Sequence, residues 1–385
     1  MRFNGVEVKA ETKMVRGEKG WDPLTGAVSF PIYQSATFRH PSLEETTGYD
    51  YSRQNNPTRE ELEATVAALE GAVDACAFST GMSAMVAIFE LFKPGDHLII
   101  GEDLYGGTYR YIEEFLLPRG LLATYVDTRD LKAVDAARRP TSRAILIETP
   151  TNPMMRVSDI QELCSWAKSH SIASIVDNTF LSPYLQQPIK LGADIVVHSG
   201  TKFLAGHNDT LAGFACMARK DHAERVRFVQ KSMGAVLSAF DSWLVLRGLK
   251  TLAVRMDRQQ ETAHKLAEAL KSVPAVTQVY YPGLTEHPEH NLSKKQASGF
   301  GAMVSFRVKR PELVSRVLRE VKVITFAESL GGVETLITFP MTQTHAAIPA
   351  AIRARVGVDE TLLRLSVGLE HPDDLLADLV QALKG

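Results

Sequence analysis

The sequence is poor in cysteine, in net charge and in long apolar runs. Its 385 residues contain three cysteines, Cys76, Cys164 and Cys216, and their wide spacing argues against a disulfide framework and a zinc site. A formal net charge of −2 without a basic run argues against nucleic acid or an acidic membrane as partner. No stretch approaches the roughly 18 apolar residues of a membrane helix. Because the N-terminal segment also lacks an apolar secretion signal, we expect a cytoplasmic protein.

The composition is that of a globular protein, with 45% hydrophobic and 23% charged residues. The length favours two domains. Residues 1–57 are rich in glycine, proline and aromatic residues without a clear period, which suggests an arm that packs on a neighbouring subunit. We predict that a large domain at 58–250 follows, and that a smaller C-terminal domain occupies 251–385.

The large domain is predicted to begin with an amphipathic helix. Thr58 and Glu61 have the spacing of a capping box, which places the N-cap at Thr58. Gly71 is expected to end this helix, and its apolar face is made by Leu62, Val66 and Leu69.

Seven short apolar runs alternate with helical stretches in the large domain. Runs without polar alternation are typical of strands that are covered on both faces, and their alternation with helices predicts a mainly parallel α/β sheet. The predicted strands are 75–78, 97–100, 124–126, 144–147, 174–176, 195–197 and 213–216, with helices that include 82–92 and 159–170. The smaller α+β domain is predicted to contain helices at 256–272 and 372–383 and strands at 279–281, 302–308, 324–326 and 363–367.

Two predicted strands end in residues that are typical of chemistry on an aldehyde cofactor. Lys202 follows one of them, where shielding from water lowers a lysine pKa and makes the amine a nucleophile. Ser199 and Thr201 add hydroxyl groups that can bind phosphate oxygens. Asp177 ends another strand, at the edge where open α/β sheets bind ligands, and could pair with a protonated pyridine nitrogen.

A third segment has the features of an anion-binding turn. Ser79-Thr80-Gly81-Met82 joins a predicted strand to a helix, whose free amides favour an anion. Each segment alone has a plain structural explanation: a helix cap, a glycine turn or a surface lysine. The three together, in this order, predict a site for pyridoxal 5′-phosphate (PLP), with Lys202 bonded covalently to the cofactor.

The chain also resembles the Cys/Met-metabolism PLP enzymes, a family that includes cystathionine synthases and lyases and homoserine sulfhydrylases. The resemblance covers nearly the whole chain and implies the fold type I of aminotransferase-like PLP enzymes. The matching segments are YDYSR at 49–53, NPTR at 56–59, STGM at 79–82, LYGGT at 104–108, ETPTNP at 148–153, VDNT at 176–179, HSGTK at 198–202, AESLGG at 327–332 and LRLSVG at 363–368.

This resemblance implies a role for each matching residue. Phosphate binding falls to Gly81, Met82, Ser199 and Thr201. The neighbouring subunit's cofactor phosphate would be contacted by Tyr51 and Arg53, which implies a homo-oligomer, in this family a tetramer. Ring stacking and deprotonation of the incoming amine fall to Tyr105. The substrate α-carboxylate would be bound by Arg364, with assistance at the cofactor and the carboxylate from Asn152 and Ser329.

The resemblance favours one reaction within the family. Glu328 matches the synthase and γ-lyase branches, and β-lyases more often lack it. Asp50 is similar to the residue of γ-synthases, and Gly107 replaces the cysteine that is typical of methionine γ-lyases. The segments 240–243 and 337–345 also resemble bacterial cystathionine γ-synthases. These features indicate γ-replacement on an O-acetyl- or O-succinylhomoserine by cysteine, with sulfhydrylase activity as a further option.

Two alternatives remain open from the sequence. One is a cystathionine γ-lyase or β-lyase, and the other is a PLP-binding protein without turnover, against which the intact Lys202, Tyr105 and Arg364 argue. No metal is expected, because His287 and His290 lie in a loop broken by proline and lack a third ligand.

Overall fold

The computed structural model describes residues 2–3 and 5–384. The chain divides into two compact units, the first comprising Met1–Leu91 with Asp194–Ala253 and the second Phe92–Ala193 with Val254–Gly385. This division follows the contacts within the chain. It does not test the domain boundaries after residues 57 and 250, which remain a prediction. Within the described part of the chain, no helix is long and apolar enough to cross a membrane.

Helices and strands occur along the whole described chain. The α-helices are α1 (Ala10–Arg16), α2 (Pro57–Glu70), α3 (Gly81–Phe89), α4 (Gly106–Tyr111), α5 (Leu131–Ala136), α6 (Ile160–Ser169), α7 (Ser182–Leu185), α8 (Lys220–Met233), α9 (Ala239–Leu249), α10 (Leu252–Lys271), α11 (His290–Gln296), α12 (Glu312–Glu320), α13 (Ala350–Val356) and α14 (Pro372–Leu383). A π-helical turn at Ile112–Leu116 and a 3₁₀ turn at Pro188–Leu191 supplement them. The strands are β1 (Arg2–Phe3), β2 (Val6–Glu7), β3 (Asp74–Phe78), β4 (His97–Gly101), β5 (Leu122–Val126), β6 (Ser142–Glu148), β7 (Ala173–Asp177), β8 (Ile195–Ser199), β9 (Gly213–Met217), β10 (Val276–Tyr280), β11 (Met303–Val308), β12 (Thr325–Phe326), β13 (Leu336–Thr338) and β14 (Leu362–Ser366).

The first unit holds three of the seven predicted sheet strands. Strand β9 pairs with β3 on one side and with β8 on the other, and both pairs are antiparallel. The arm, predicted to be irregular, contains the short elements β1, β2 and α1, so the prediction is wrong at these places. Their brevity explains why the sequence shows no period there.

Helix α2 begins two residues earlier than the capping box predicts. The side chain of Asn56, not that of Thr58, is the N-cap, and it accepts a hydrogen bond from the Thr58 amide at 3.0 Å. The Thr58 hydroxyl donates instead to the Pro31 carbonyl at 2.9 Å. The Glu61 carboxylate accepts from the Glu18 amide at 2.7 Å. The predicted N-cap is therefore wrong, because tertiary contacts to the arm use both groups of the box.

The remainder of α2 agrees with its prediction. The side chains of Leu62, Val66 and Leu69 are fully buried. Gly71 follows the helix with a left-handed φ of 79°, a conformation that glycine adopts without the strain of a Cβ atom.

The second unit holds the other four predicted strands, in the order β5-β4-β6-β7, all parallel. A separate five-stranded sheet of mixed direction has the order β10-β11-β14-β13-β12. The α/β class, the seven strands and the smaller α+β sheet are thus confirmed. Two details differ: β10 starts three residues before the predicted 279, and β13 was not predicted.

A buried histidine joins the parallel strands of the second unit. His97, at the start of β4, is fully buried, with Nδ1 2.8 Å from Ser142 Oγ on β6 and Nε2 2.9 Å from Thr124 Oγ1 on β5. Burial, assisted by the charge of Arg139, lowers the pKa of His97 from 6.5 to about 4. The neutral ring therefore belongs to the folded state.

This histidine is expected to make stability depend on pH. The unfolded chain binds the proton more readily, so the contribution is complete above pH 6.5 and is lost as the pH falls toward about 4. The loss amounts to about 3 kcal/mol of unfolding free energy. The unfolding free energy can be measured with denaturant above pH 6.5 and below about pH 4. Its decrease at the lower pH should be smaller for His97→Gln than for wild type. His371→Gln, at an exposed position, should keep the wild-type dependence of unfolding free energy on pH. The wild-type dependence in His97→Gln would contradict the assignment.

Candidate active site

Lys202 lies in the first unit, on a tight turn after β8. The Lys202 amide donates to the Ser199 carbonyl at 3.2 Å. The Thr201 amide donates to the Ala212 carbonyl at 3.1 Å, and Thr201 Oγ1 accepts from the Ala212 amide at 3.0 Å. The backbone that carries the partly buried lysine is therefore fixed on both sides. The Thr201 hydroxyl donates to the Ala212 carbonyl at 3.3 Å, so a phosphate contact would require it to turn.

The predicted anion-binding turn lies directly beside this strand end. Thr80 Oγ1 caps α3 by accepting from the Ser83 amide at 2.9 Å, and the helix begins at Gly81. A Cβ atom at position 81 would lie only 2.8 Å from the Cβ of Ser199, so glycine is what allows this close approach. The first unit thus brings the start of α3, at Gly81, next to Ser199, while the role of Gly81 and Met82 toward a phosphate remains a prediction.

The contacts of the predicted arm residues lie away from the anion-binding turn. Tyr51 and Arg53 are exposed, with the guanidinium carbon 5.6 Å from the centre of the tyrosine ring. Arg53 Nη1 donates to the Lys231 carbonyl of α8 at 2.6 Å. Asp50 is also exposed and lies 3.2 Å from His40 Nε2. Both Tyr51 and Arg53 line a surface groove of about 300 Å³.

Asp177 lies in the second unit as the last residue of β7. It faces Glu148, the last residue of β6, in the parallel register. Asp177 Oδ1 accepts from the Thr179 amide at 3.0 Å and from Thr179 Oγ1 at 2.5 Å. The strand-end position expected of this carboxylate is confirmed, and Thr179 fixes its orientation.

Tyr105 precedes α4 and is held through its backbone. Its amide donates to Glu148 Oε2 at 2.9 Å, and its side chain is 40% exposed, which leaves the ring accessible. A Cβ atom at Gly107 would lie 2.4 Å from Cε1 of this ring. Any side chain at position 107 would therefore displace the tyrosine ring from its present position.

Arg364 is buried on β14, the middle strand of the second unit's five-stranded sheet. Its Nη1 donates to Asn152 Oδ1 at 2.8 Å. Its Nη2 donates to the Ser329 carbonyl at 3.1 Å and to Thr338 Oγ1 at 3.2 Å. The buried Nε has no hydrogen-bond partner among the described residues. Because buried donors are almost always paired, this N–H is available to an acceptor that enters from outside.

Charge and backbone geometry distinguish the two residues before Leu330. Ser329 has a φ of 101°, an unusual value for a residue with a side chain, and its carbonyl accepts from Arg364 Nη2. Glu328 is exposed. Burial lowers the pKa of Arg364 to about 10, while the charges of Tyr105, Glu148 and Glu328 raise it. The guanidinium is therefore a cation at neutral pH.

The sequence did not single out two residues of this region, Glu148 and His345. Glu148 accepts the amides of both Tyr105 and Asn152. His345 lies with Nε2 2.9 Å from the Asn152 carbonyl, so the proton is on Nε2. Burial, assisted by the charge of Arg364, lowers the pKa of His345 to about 4. The signal for Glu148 was its place at the end of a predicted strand, the same signal that identified Asp177.

Comparison with known proteins relates these features to a family. The model of the Cys/Met metabolism PLP-dependent enzymes matches residues 11–384. The chain is 47% identical over 374 residues to a cystathionine beta-lyase of Lactococcus lactis subsp. cremoris (strain MG1363), covering 97% of this chain and 98% of that protein. It is 46% identical over 373 residues to a protein of Bacillus subtilis (strain 168) named cystathionine gamma-synthase/O-acetylhomoserine (thiol)-lyase, covering 97% and 96%.

A solved structure agrees with these relatives. The crystal structure of cystathionine gamma-lyase from Lactobacillus plantarum, complexed with L-serine, matches with a TM-score of 0.95 and 45% identity over 97% of this chain and 98% of that one. The three proteins carry three different activity names, so the likeness shows the enzyme family and not the individual reaction. The chain belongs to the Cys/Met metabolism PLP-dependent enzymes, the trans-sulfuration enzymes, and its cofactor is pyridoxal 5′-phosphate.

Proposed function

We propose that the protein is a cystathionine γ-synthase, which replaces the acyloxy group of O-acetyl- or O-succinylhomoserine by cysteine. The C–O bond at the γ-carbon breaks, a C–S bond forms there, and the acyl carboxylate leaves as the thiol loses its proton. The observation that carries the proposal is the exposed carboxylate of Glu328, next to the residue whose carbonyl contacts Arg364. A relative named for both synthase and thiol-lyase activities supports it.

The residues of the first unit fit one end of the cofactor. The close approach of Gly81 to Ser199, with the free amides at the start of α3, suits a phosphate group. In this proposal Gly81, Met82, Ser199 and Thr201 bind that phosphate. Lys202 would hold the cofactor covalently through its aldehyde carbon, and its amine would be released when the substrate amine takes its place.

The residues of the second unit fit the cofactor ring. Asp177 would hold the pyridine nitrogen in its protonated form, and Thr179 keeps the carboxylate oriented for this task. Tyr105 stacks on the ring and takes a proton from the incoming amine. PLP, when bound, supplies an electron sink that stabilises negative charge on the substrate carbons.

Proton transfer and substrate recognition complete the proposal. The displaced amine of Lys202 removes a proton from Cα and then one from Cβ, which γ-chemistry requires. Arg364 binds the α-carboxylate, for which its unpaired buried Nε and its cationic state are suited. Asn152 and Ser329 orient the guanidinium through the contacts described above.

We further propose that the protein is a cytoplasmic homotetramer built from two dimers. In each dimer, Tyr51 and Arg53 complete the neighbouring subunit's site. Both side chains are exposed on the arm, and their contacts lie away from the Lys202 turn. A tyrosine hydroxyl and a guanidinium at such a surface are suited to an anion on another subunit. Asp50, which precedes them, belongs to the same arm surface and lies toward the substrate in this proposal.

The reaction is tested by comparing two rates of the wild-type enzyme. With O-acetyl- or O-succinylhomoserine plus cysteine, cystathionine should form faster than the enzyme degrades added cystathionine. Cystathionine cleavage without acylhomoserine-dependent synthesis would replace the synthase by a lyase, the activity for which the Lactococcus relative is named. The keto acid released by cleavage, 2-oxobutyrate or pyruvate, distinguishes a γ-lyase from a β-lyase.

Glu328→Ala should impair the second substrate selectively. The carboxylate of Glu328 is proposed to attract the ammonium group of the incoming cysteine while its thiol attacks the γ-carbon. Charge-assisted contacts contribute about 1.5–3 kcal/mol, so the KM for cysteine should rise about ten- to a hundredfold. Elimination in the absence of cysteine, which yields 2-oxobutyrate and ammonia, should change much less. Glu334→Ala, at another exposed glutamate of the second unit, serves as the control, and an equal loss of both reactions in Glu328→Ala would refute this role.

A further inference from the structure

Glu148 connects two separate loops of the second unit through a single carboxylate. One oxygen, Oε2, accepts the amide of Tyr105 at 2.9 Å. The other, Oε1, accepts the amide of Asn152 at 3.0 Å. Neither loop residue can shift relative to the other without breaking one of these bonds, because both oxygens belong to the rigid carboxylate at the end of β6.

The same two loops are joined a second time through Thr344 and His345. His345 Nε2 lies 2.9 Å from the Asn152 carbonyl. A Cβ atom at Gly106 would lie 2.1 Å from the Thr344 carbonyl oxygen, so the loop after Tyr105 packs directly on this segment. The Tyr105 loop, Glu148, the Asn152 loop and residues 344–345 therefore form a closed ring of contacts.

Asn152 extends this ring to Arg364. Its Oδ1 accepts from Arg364 Nη1 at 2.8 Å, so a displacement of the Asn152 loop displaces the acceptor that orients the guanidinium. The amide of Asn152 bonds to Glu148, and its side chain bonds to Arg364. Glu148 is thus connected through Asn152 to Arg364, the proposed carboxylate-binding residue. It also bonds directly to the backbone of Tyr105, the proposed stacking residue.

The chemistry of the position calls for two acceptors. A glutamine has the size of a glutamate but only one acceptor oxygen, and its NH₂ group would face a backbone N–H donor. Glu148 also faces Asp177 across the strand pair. Burial and the negative charge of Asp177 raise the pKa of Glu148, while the bonds from Tyr105 and Asn152 lower it. The net effect is a pKa well above the ordinary value of a glutamate, and it is the geometry of the two amide bonds that makes Glu148 a double acceptor.

We propose that Glu148 is a positioning residue that sets the spacing between the ring of Tyr105 and the guanidinium of Arg364. The inference rests on the proposed roles of Tyr105 and Arg364, and it holds whether the enzyme is a synthase or a lyase. Glu148 touches neither substrate nor cofactor in this assignment. It acts through the backbone amides of the two loops.

The test compares the Glu148→Gln holoenzyme with wild type and with a matched control. Glu102 is also a partly buried glutamate after a strand of the same parallel group, but it pairs with Arg156 at 3.8 Å and Arg355 at 3.1 Å instead of the loop amides. We expect hydrogen exchange in Glu148→Gln to accelerate in peptides that contain Tyr105 or Asn152. The KM for the amino-acid substrate should rise roughly ten- to a hundredfold. Glu102→Gln should leave both quantities near wild type.

Binding of glycine, an amino acid that carries the α-carboxylate but no leaving group on a β- or γ-carbon, gives a readout that does not depend on elimination or replacement. Its affinity should fall in Glu148→Gln by a factor similar to the KM change. Wild-type exchange and wild-type KM in Glu148→Gln would overturn the inference. If that variant does not fold, exchange in the wild-type holoenzyme decides, because unprotected amides at both Tyr105 and Asn152 would contradict the bonds to Glu148. If the synthase assay fails, the KM is measured in the lyase reaction instead, and the inference about Glu148 is tested in the same way.

Discussion

Asp177→Asn should retain the cofactor and lose at least about a hundredfold in kcat, which corresponds to about 3 kcal/mol of activation free energy. The asparagine oxygen can still accept from the Thr179 amide and hydroxyl, so the side chain should keep its place. What it lacks is the negative charge that holds a proton on the pyridine nitrogen, and without that proton the ring is a weaker electron sink. The substitution therefore removes a charge and leaves the local geometry.

The measurement combines cofactor content, from the visible absorbance of the purified protein, with steady-state kcat. Asp130→Asn is the matched control, because Asp130 is an exposed helix cap of α5 and asparagine caps as well as aspartate. The control should have wild-type kcat. Near wild-type turnover in Asp177→Asn would remove this residue from the chemistry, and loss of the cofactor would assign it to binding instead.

Subunit mixing should restore activity from two inactive variants. Arg53→Ala removes the proposed contact to the neighbour's phosphate, and Lys202→Ala removes the covalent anchor. In a dimer of one subunit of each kind, one site contains native Arg53 and native Lys202. After random reassembly of equal amounts, about a quarter of all sites should be native.

This experiment distinguishes shared sites from self-contained ones. Lys202→Ala alone should be inactive, and Arg53→Ala alone strongly impaired. A mixed oligomer, verified by affinity tags on the two variants, that regains no activity would contradict the shared site. Arg138→Ala mixed with Lys202→Ala is the control for dilution, because Arg138 is exposed and pairs only at 3.9 Å with Asp135.

The strands were predictable from sequence where burial is complete. Strands β4 and β9 are buried along their whole length, so their apolar runs are continuous and their positions agree with prediction within a residue or two. Strand β10 has exposed and partly buried residues without a regular alternation, and the predicted segment began three residues late. Strand β13 has only three residues, too few to show a period.

Tertiary contacts explain the prediction that failed at the start of α2. The Thr58 and Glu61 spacing is that of a capping box, yet the hydroxyl and the carboxylate bond to segments of the arm that are distant in sequence. No local pattern reveals this competition. The N-cap is Asn56, whose side chain accepts from the Thr58 amide at 3.0 Å.

The candidate site shows the same division between local and distant information. Strand-end positions identified Asp177 and the turn before Lys202, because a strand followed by a polar residue is a local signal. The bond between Arg364 and Asn152 joins residues 212 positions apart, and the dual contact of Glu148 joins loops on two sides of it. Such links require the folded structure, which is why the role of Glu148 emerged only there.

The most direct test of the account is chemical identification of the residue that binds the cofactor. The native protein is reduced with borohydride, digested, and its peptides are mapped by mass spectrometry. The account predicts a pyridoxyl group on Lys202, on the turn after β8. A pyridoxyl group on any other lysine, or none on a protein that contains the cofactor, would contradict it.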